Sequence, residues 1–233
     1  MMTSAIPTTT TPAEMLAKLR AQLPAALPTT MSATATPGND LYEAYLFGLI
    51  LEAAKIAGYT VEIRDSTKPA KQLHLRRSPG RIYSIGAPGR LYTHALLKVG
   101  NRPPLEVHTG VKFVGRSKVL HEADVLVIPQ KDADRSRAAA VDPHSKSAFL
   151  IIEAKYWTKA VKLGTGREFL GLRRDSSAKA QVFVCTIAKA SAIALLAGSP
   201  GVEYDDGVLP NRAVEESLRY FVHRLLRDYR DRQ

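Results

Sequence analysis

The sequence predicts an α/β domain organised around a mixed β-sheet flanked by helices, and three observations lead there. Residues 148–157 read A-F-L-I-I-E-A-K-Y-W, a continuous apolar run with aromatic and β-branched members that suits a strand buried on both faces. Residues 122–129, E-A-D-V-L-V-I-P, form a second short strand pattern. Upstream of both, residues 41–57 are apolar almost all round, as expected of a deeply packed helix. Strands on either side of such a helix, followed by a strand–helix unit, give a sheet with helices against it.

Taken in order, residues 1–38 are rich in Thr, Ala and Pro. Such composition buries too little to offset its ordering entropy, so a mostly disordered tail is expected. Within it, P-A-E-M-L-A-K-L-R-A-Q-L places Met15, Leu16, Leu19 and Leu23 near helical spacing. That helix is too short to stand alone but could dock on the domain or on a partner. The folded domain is expected over residues 39–233. Asp40 followed by Glu43 reads as a capping box opening the apolar helix, and Gly58 closes it as the residue after the last turn. Glu52 on that helix reads as a solvated residue.

Residues 59–65 alternate as a half-buried strand. Lys68, Lys71, Arg76, Arg77 and Arg81 then cluster in a stretch where Leu73 and Leu75 alternate with His74 and Arg76. Its basic face is either solvated or a ribbon that contacts phosphates. Residues 90–99 and 105–114 are further strands joined by the turn sequence G-N-R-P-P. His94, His108 and His121 fall singly on these elements, outside any H-x-x-x-H or H-E-x-x-H pattern, and read as hydrogen-bonded structural residues. His121 is nearest in sequence to Asp124. Residues 130–147 are polar and read as a long loop over the candidate site. Asp132 and Asp134 imitate the start of a calcium loop that lacks its glycine and its final Glu. Past residue 157 only a short helix near residues 167–174 is expected, because Gly164, Gly166 and Gly171 interrupt the pattern. Residues 181–187 read as a strand and 188–198 as an apolar helix. The last element is amphipathic: Leu218, Phe221, Val222, Leu225 and Tyr229 share one face, and its arginines lie mostly elsewhere.

Glu153 and Lys155 carry the candidate chemistry. Side chains two apart on a strand share a face, so a carboxylate and an ammonium project together from an apolar strand. Glu-x-Lys alone is a common triplet, and a solvated strand end explains it equally well. Asp124, at the start of its own strand, adds a second acid if the strands are neighbours. Two close carboxylates raise each other's pKa, and a divalent cation with a taste for hard oxygen ligands removes the conflict.

These residues resemble the PD-(D/E)xK nuclease superfamily, which has the restriction-endonuclease-like fold. The likeness rests on Asp124, twenty-eight intervening residues and Glu153-Ala154-Lys155. It covers residues 122–157 and, more loosely, 39–187. Ala123 stands where the motif is named for proline. The resemblance implies Mg²⁺, with Mn²⁺ as a substitute, held by Asp124, Glu153 and the backbone carbonyl of Ala154. It implies a further acid from the first core helix, for which Glu43 is the candidate beside its capping role. Lys155 would then orient the attacking water or neutralise the phosphate. Asp124, Glu153, Lys155 and Glu43 are thus the expected catalytic group.

Composition narrows the partners. The chain has 233 residues, 33 Lys and Arg against 22 Asp and Glu, and a net charge of +11. Such an excess favours a polyanion such as nucleic acid. A membrane surface is disfavoured, because no basic amphipathic helix with aromatic anchors stands alone. Charge does not separate DNA from RNA, and DNA is the expectation that goes with the nuclease resemblance. Lys71, Arg76, Arg77, Arg81, Arg173 and Arg174 are the expected contacts. A homodimer or a partner subunit is the arrangement expected if both strands are cut. Cys185 is the sole cysteine, which excludes an internal disulfide and a cysteine-built zinc site. It reads as a small core residue. With no apolar leader or span in the sequence, a cytoplasmic location is the expectation. No Walker A loop or G-x-S-x-G elbow occurs. The alternative readings are a catalytically silent nucleic-acid-binding or scaffold subunit, and a structural protein whose basic surface meets acidic partners.

Overall fold

The first helix among the described residues is capped by its own side chains. Thr11 accepts from the backbone N–H of Glu14, and the Glu14 carboxylate accepts from the N–H of Thr11 at 2.7 Å, opening helix α1 (Pro12–Gln22). The computed structural model describes residues 11–24, 27–66, 68–88, 90–157 and 159–232. The first ten residues of the expected tail, with 25 and 26, lie outside them. The remainder of that stretch is not a free tail. Met15, Leu16 and Leu19 are buried against helix α2 (Gly38–Ile56). A Cβ at Gly48 of α2 would stand 3.2 Å from the Leu19 Cα, so the missing side chain lets the two helices approach.

Helix α2 starts two residues before the expected cap. Its N-cap is Pro37, with no side-chain cap bond, and Asp40 falls in the first turn, where its carboxylate takes the Arg77 Nε at 2.6 Å. The capping box is therefore not formed, and Glu43 is free of that role. At the far end Gly58 adopts φ +85°, the left-handed conformation glycine tolerates, as expected.

Strand β1 (Thr60–Arg64) follows α2, then a small ribbon of β2 (Gly86–Ala87) and β3 (Arg90–Leu91). Next come β4 (His94–Lys98), β5 (Leu105–Val114) and β6 (Leu120–Pro129). The expected loop at 130–147 is largely helix α3 (Gln130–Ala139) with a 3-10 turn at Ser145–Ser147. Asp132 and Asp134 pair there with Arg135 and Arg137 at i+3, which favours helix over loop. The helix starts beyond Pro129, roughly 16 Å along the strand from Asp124, so it does not cover that residue.

Strand β7 (Leu150–Lys155), helix α4 (Leu163–Asp175), strand β8 (Ala180–Cys185), helix α5 (Ala190–Ala197), strand β9 (Glu203–Asp206) and helix α6 (Ala213–Asp231) complete the chain. Helix α4 is longer than its glycines suggest. A Cβ at Gly166 would stand 3.2 Å from a Leu195 methyl, so that glycine serves close contact between α4 and α5.

Among the described residues seven strands form one sheet in the order β1-β4-β5-β6-β7-β8-β9. Pairing is antiparallel from β1 through β7 and parallel for β7–β8 and β8–β9. This is the mixed sheet expected from the sequence. One face packs Val107, Val125, Val127, Leu150 and Ile152 against α2 and α6. On the other face Leu126, Ile128 and Ile151 meet Ala133 of α3 and Leu172 of α4, while Phe183 and Cys185 meet Phe169. Leu218, Val222 and Leu226 bury the inner stripe of α6, each worth about 1.5–3 kcal/mol of transfer free energy. Its Arg219 pairs with Glu52 at 2.8 Å, so Glu52 is bonded rather than merely solvated. Among the described residues no helix is long and apolar enough to cross a membrane.

Candidate functional site

Strand register brings the two acids of the motif together. Val125 lies opposite Ile152, and one step further the ladder carries Asp124 to the side of Glu153. There the regular pairing stops. The Asp124 carboxylate accepts the backbone N–H of Ala154 at 2.6 Å. Lys155 Nζ lies 3.4 Å from the same Asp124 oxygen and 2.6 Å from Glu153 Oε1. The two carboxylate oxygens are therefore at most about 6 Å apart, a span one hydrated cation covers.

Strand β5 bends at this level. Gly110 has φ +56°, and its neighbours change sides: Val107 packs toward α2, Val111 and Phe113 toward the opposite layer. In β6, Val125 and Ala123 split in the same way. Asp124 sits at this switch, where side chains of both layers meet. The Glu43 carboxyl on α2 feels the charges of Asp124, Glu122 and Lys155 without lining the cleft beside them. A cleft of about 210 Å³ is lined by Glu122, Asp124, Glu153, Lys155 and Glu168, with Phe169 and Leu172 as its apolar wall.

The electrostatics are those of an anionic pocket short of cations. Burial, then the charges of Asp124 and Glu122, push the Glu43 carboxyl up to about 9. Burial and then Asp124 and Glu153 push Glu122 up to about 7. Glu153 is also raised, by burial and by Asp124, against the pull of Lys155. Burial alone would lower the Lys155 pKa, but Asp124 and Glu153 hold its ammonium charged well above the ordinary lysine range. Glu122 and Glu168 were not singled out from the sequence. Glu122 had a legible signal, since it is two residues before Asp124 on the same strand.

The expected nucleic-acid contacts divide. Arg76 is buried, and its Nη2 donates to the carbonyl of Ser84 at 2.8 Å and, at longer range, to those of Arg81 and Ile82. Burial lowers its pKa to about 10. It holds a turn and does not face a ligand, because the alternation expected at 73–76 is not a surface strand. Arg81 is engaged by Asp142 at 2.9 Å and by Tyr83, and Arg173 by the carbonyl of Gly201 at 2.7 Å. Lys71 and Arg77 line a groove of about 880 Å³ together with Lys68, His74 and Arg90. Arg174 lines a hollow of about 610 Å³ with Arg116. That hollow shares His121 with the acidic cleft, and His121 is held by Asp175 at 2.7 Å.

A second polar cluster was not expected from the sequence. His94, Glu106 and His108 come within 4.8 Å of one another through their ligand atoms and could hold a metal ion. The signal was present: Glu106 and His108 are two apart on β5, and the β4–β5 register sets His94 beside His108. This cluster is already satisfied from within. The His108 ring bonds Glu106 at 2.8 Å, and Arg137 clasps both Glu106 oxygens at 2.7 and 2.9 Å. Burial, then His108, lower the His94 pKa to about 3, and burial lowers that of His108, so both rings are neutral.

No protein-family profile, characterised protein or solved structure matched this chain.

Proposed function

We propose that this chain is a metal-dependent nuclease that hydrolyses phosphodiester bonds of nucleic acid, with DNA the favoured substrate, at the cleft around Asp124, Glu153 and Lys155. The observation that carries the reading is the Lys155 ammonium set between two carboxylates from adjoining strands, amid further acids whose charges are suppressed. Glu43, Glu122 and Glu153 all have raised pKa values, so the cleft has fewer positive charges than its carboxylates call for. Hard oxygen donors in that state fit Mg²⁺ or Mn²⁺. Asp124, Glu153, Glu43 and the carbonyl of Ala154 would hold it. When bound, such an ion supplies a Lewis acid and an acidified water. A mixed sheet flanked by helices, with the acids and the lysine on neighbouring strands, is in keeping with a restriction-endonuclease-like fold.

The protein's own groups take distinct parts. Asp124 is fixed by the Ala154 N–H, which leaves its second oxygen for a ligand. Lys155 is held charged and placed to orient water or to face a phosphoryl oxygen. The groove with Lys71, Arg77 and Arg90 and the hollow with Arg116 and Arg174 give the strand two basic approaches. The test is incubation with supercoiled plasmid, single-stranded DNA and RNA in Mg²⁺, Mn²⁺ and EDTA. Metal-dependent cleavage is expected, falling at least about a hundredfold in Asp124→Asn, Glu153→Gln and Lys155→Ala with the fold intact. Undiminished Mg²⁺-dependent cleavage by Glu153→Gln overturns it. A silent binding protein of the same fold is the second reading. It is favoured by Lys155 already bridging the two acids, and metal-independent binding without cleavage would identify it.

A further inference from the structure

Just past the Glu153-Ala154-Lys155 strand the chain presents its only tryptophan, Trp157, with the residue 38% exposed. Among the described aromatic side chains only Trp157 and Tyr220 of α6 are exposed. The backbone at Trp157 is fixed. Trp157 N–H donates to Thr186 Oγ1 at 3.1 Å, and the same hydroxyl donates to the Trp157 carbonyl at 2.9 Å. The indole walls an open hollow of about 470 Å³ whose other sides include Tyr156, Lys159, Lys162 and the Gly38–Asn39 turn of α2. Tyr156 is itself set against the buried Tyr42 ring, 5.7 Å between centroids. Glycine is required at 38, because a Cβ there would collide with the Tyr156 ring. The one acid of that turn, Asp40, is neutralised by Arg77.

From these observations we infer that Trp157 is a stacking platform for an unpaired nucleobase, with Lys159 and Lys162 taking the adjoining phosphates. The occupant is thus single-stranded nucleic acid or a strand with a splayed nucleotide. A base inside a duplex is stacked on both faces and has none to offer an indole, whereas an unpaired base does. Two ammonium groups at the rim match the phosphates of such a strand, and the net charge of +11 favours its approach. Trp157 follows Lys155 by two residues, roughly 7 Å along an extended chain, so a base held there leaves a neighbouring phosphate within reach of the acidic cleft. The platform deepens the nuclease reading by naming the substrate class, and rests on it for the direction of the strand but not for binding itself.

The sole tryptophan makes the test direct. The intact protein, in EDTA so that nothing is cut, is titrated with short fluorescein-labelled oligothymidylate, oligouridylate and a blunt-ended, fully paired duplex. Binding is read by anisotropy, and indole emission is read with unlabelled strands. Saturable quenching by one or both single strands, and none by the duplex, is expected. Trp157→Ala should weaken single-strand binding about tenfold to a hundredfold, with Trp157→Tyr recovering much of it and far-ultraviolet dichroism unchanged. Lys159→Gln and Lys162→Gln should each lower the salt slope by about 0.7. Single-strand binding that leaves the indole emission unchanged overturns the platform, as does equal quenching by duplex, or no binding at all. Quenching without cleavage in Mg²⁺ removes the nuclease reading and keeps the platform. Cleavage in Mg²⁺ without quenching removes the platform and keeps the nuclease.

Discussion

Glu43 is the residue whose replacement says most about the cleft. Its carboxyl is raised from 4.5 to about 9, so at neutral pH the folded protein holds a proton there that the unfolded chain releases. A group that binds its proton more tightly when folded adds stability at low pH, and that stability is lost as pH rises. The loss begins near 4.5 and is complete near 9. At pH 7.5 the group is three pH units above its ordinary value, which sets an upper bound of ~4 kcal/mol on the cost of keeping it. Glu43 is only partly enclosed, so solvent screening brings the expected cost nearer ~2 kcal/mol. Glu43→Gln removes the titration while keeping the shape. In EDTA at pH 7.5 the variant should melt about 4–8 °C above the parent, and at pH 5 the two should nearly coincide. Mg²⁺ should raise the parent's melting point and leave the variant's largely unchanged, because bound cation favours the ionised carboxylate. Scanning calorimetry from pH 5 to 9, with and without Mg²⁺, measures all of this. A difference in melting temperature that is flat across pH, or a variant less stable at pH 8 than at pH 5 by as much as the parent, would refute the reasoning.

Two other expectations concern charge elsewhere. Arg137→Ala strips the bidentate guanidinium from buried Glu106 and should cost about 3–5 kcal/mol in a urea melt at pH 7, whereas a loss under 1 kcal/mol would mean water reaches that carboxylate. Lys71→Gln and Arg77→Gln, in the groove beside α2, should weaken binding to every sequence alike and each lower the salt slope by about 1, and an unchanged slope would show that nucleic acid does not use the groove.

Most of the sheet was legible because its strands are apolar runs of the right length. Residues 148–157 and 181–187 announced themselves in this way, and Cys185 sits in the core as its neighbours suggested. Less legible were features that depend on a partner brought from elsewhere in the chain. Helix α1 looked marginal alone because its stabilising surface is Gly48 and its neighbours on α2, reached only after folding. The polar stretch 130–139 lacks an apolar stripe, and its helix is secured by i,i+3 ion pairs and by Arg137 reaching Glu106. Arg76 read as a surface cation because sequence spacing does not show that carbonyls of 81, 82 and 84 turn back toward it. The spacing of Asp40 and Glu43 suits a capping box, which gives Glu43 a capping role beside its candidacy for the site. The helix in fact opens at Gly38, where the Tyr156 ring leaves room for no side chain.

The two clusters that could accept a cation differ in what a cation would do for them. At His94, Glu106 and His108 a single carboxylate already has a guanidinium on both oxygens, and its pKa is held far below the usual range by His108 and Arg137 despite burial. An added divalent ion would have to displace Arg137 from Glu106 and leave that partly buried guanidinium with only the exposed Asp134 carboxylate as partner. At Asp124 the balance runs the other way. Glu43, Glu122 and Glu153 are driven toward their neutral forms by burial first and by neighbouring carboxylates second, with the Lys155 ammonium pulling the other way. An ion entering there gains carboxylate ligands and lets them ionise, so its binding should release protons at neutral pH, while binding at the histidine cluster would release almost none. Proton release on adding Mg²⁺, lost in Asp124→Asn and retained in His108→Gln, is therefore what separates a working acidic centre from a buried structural network.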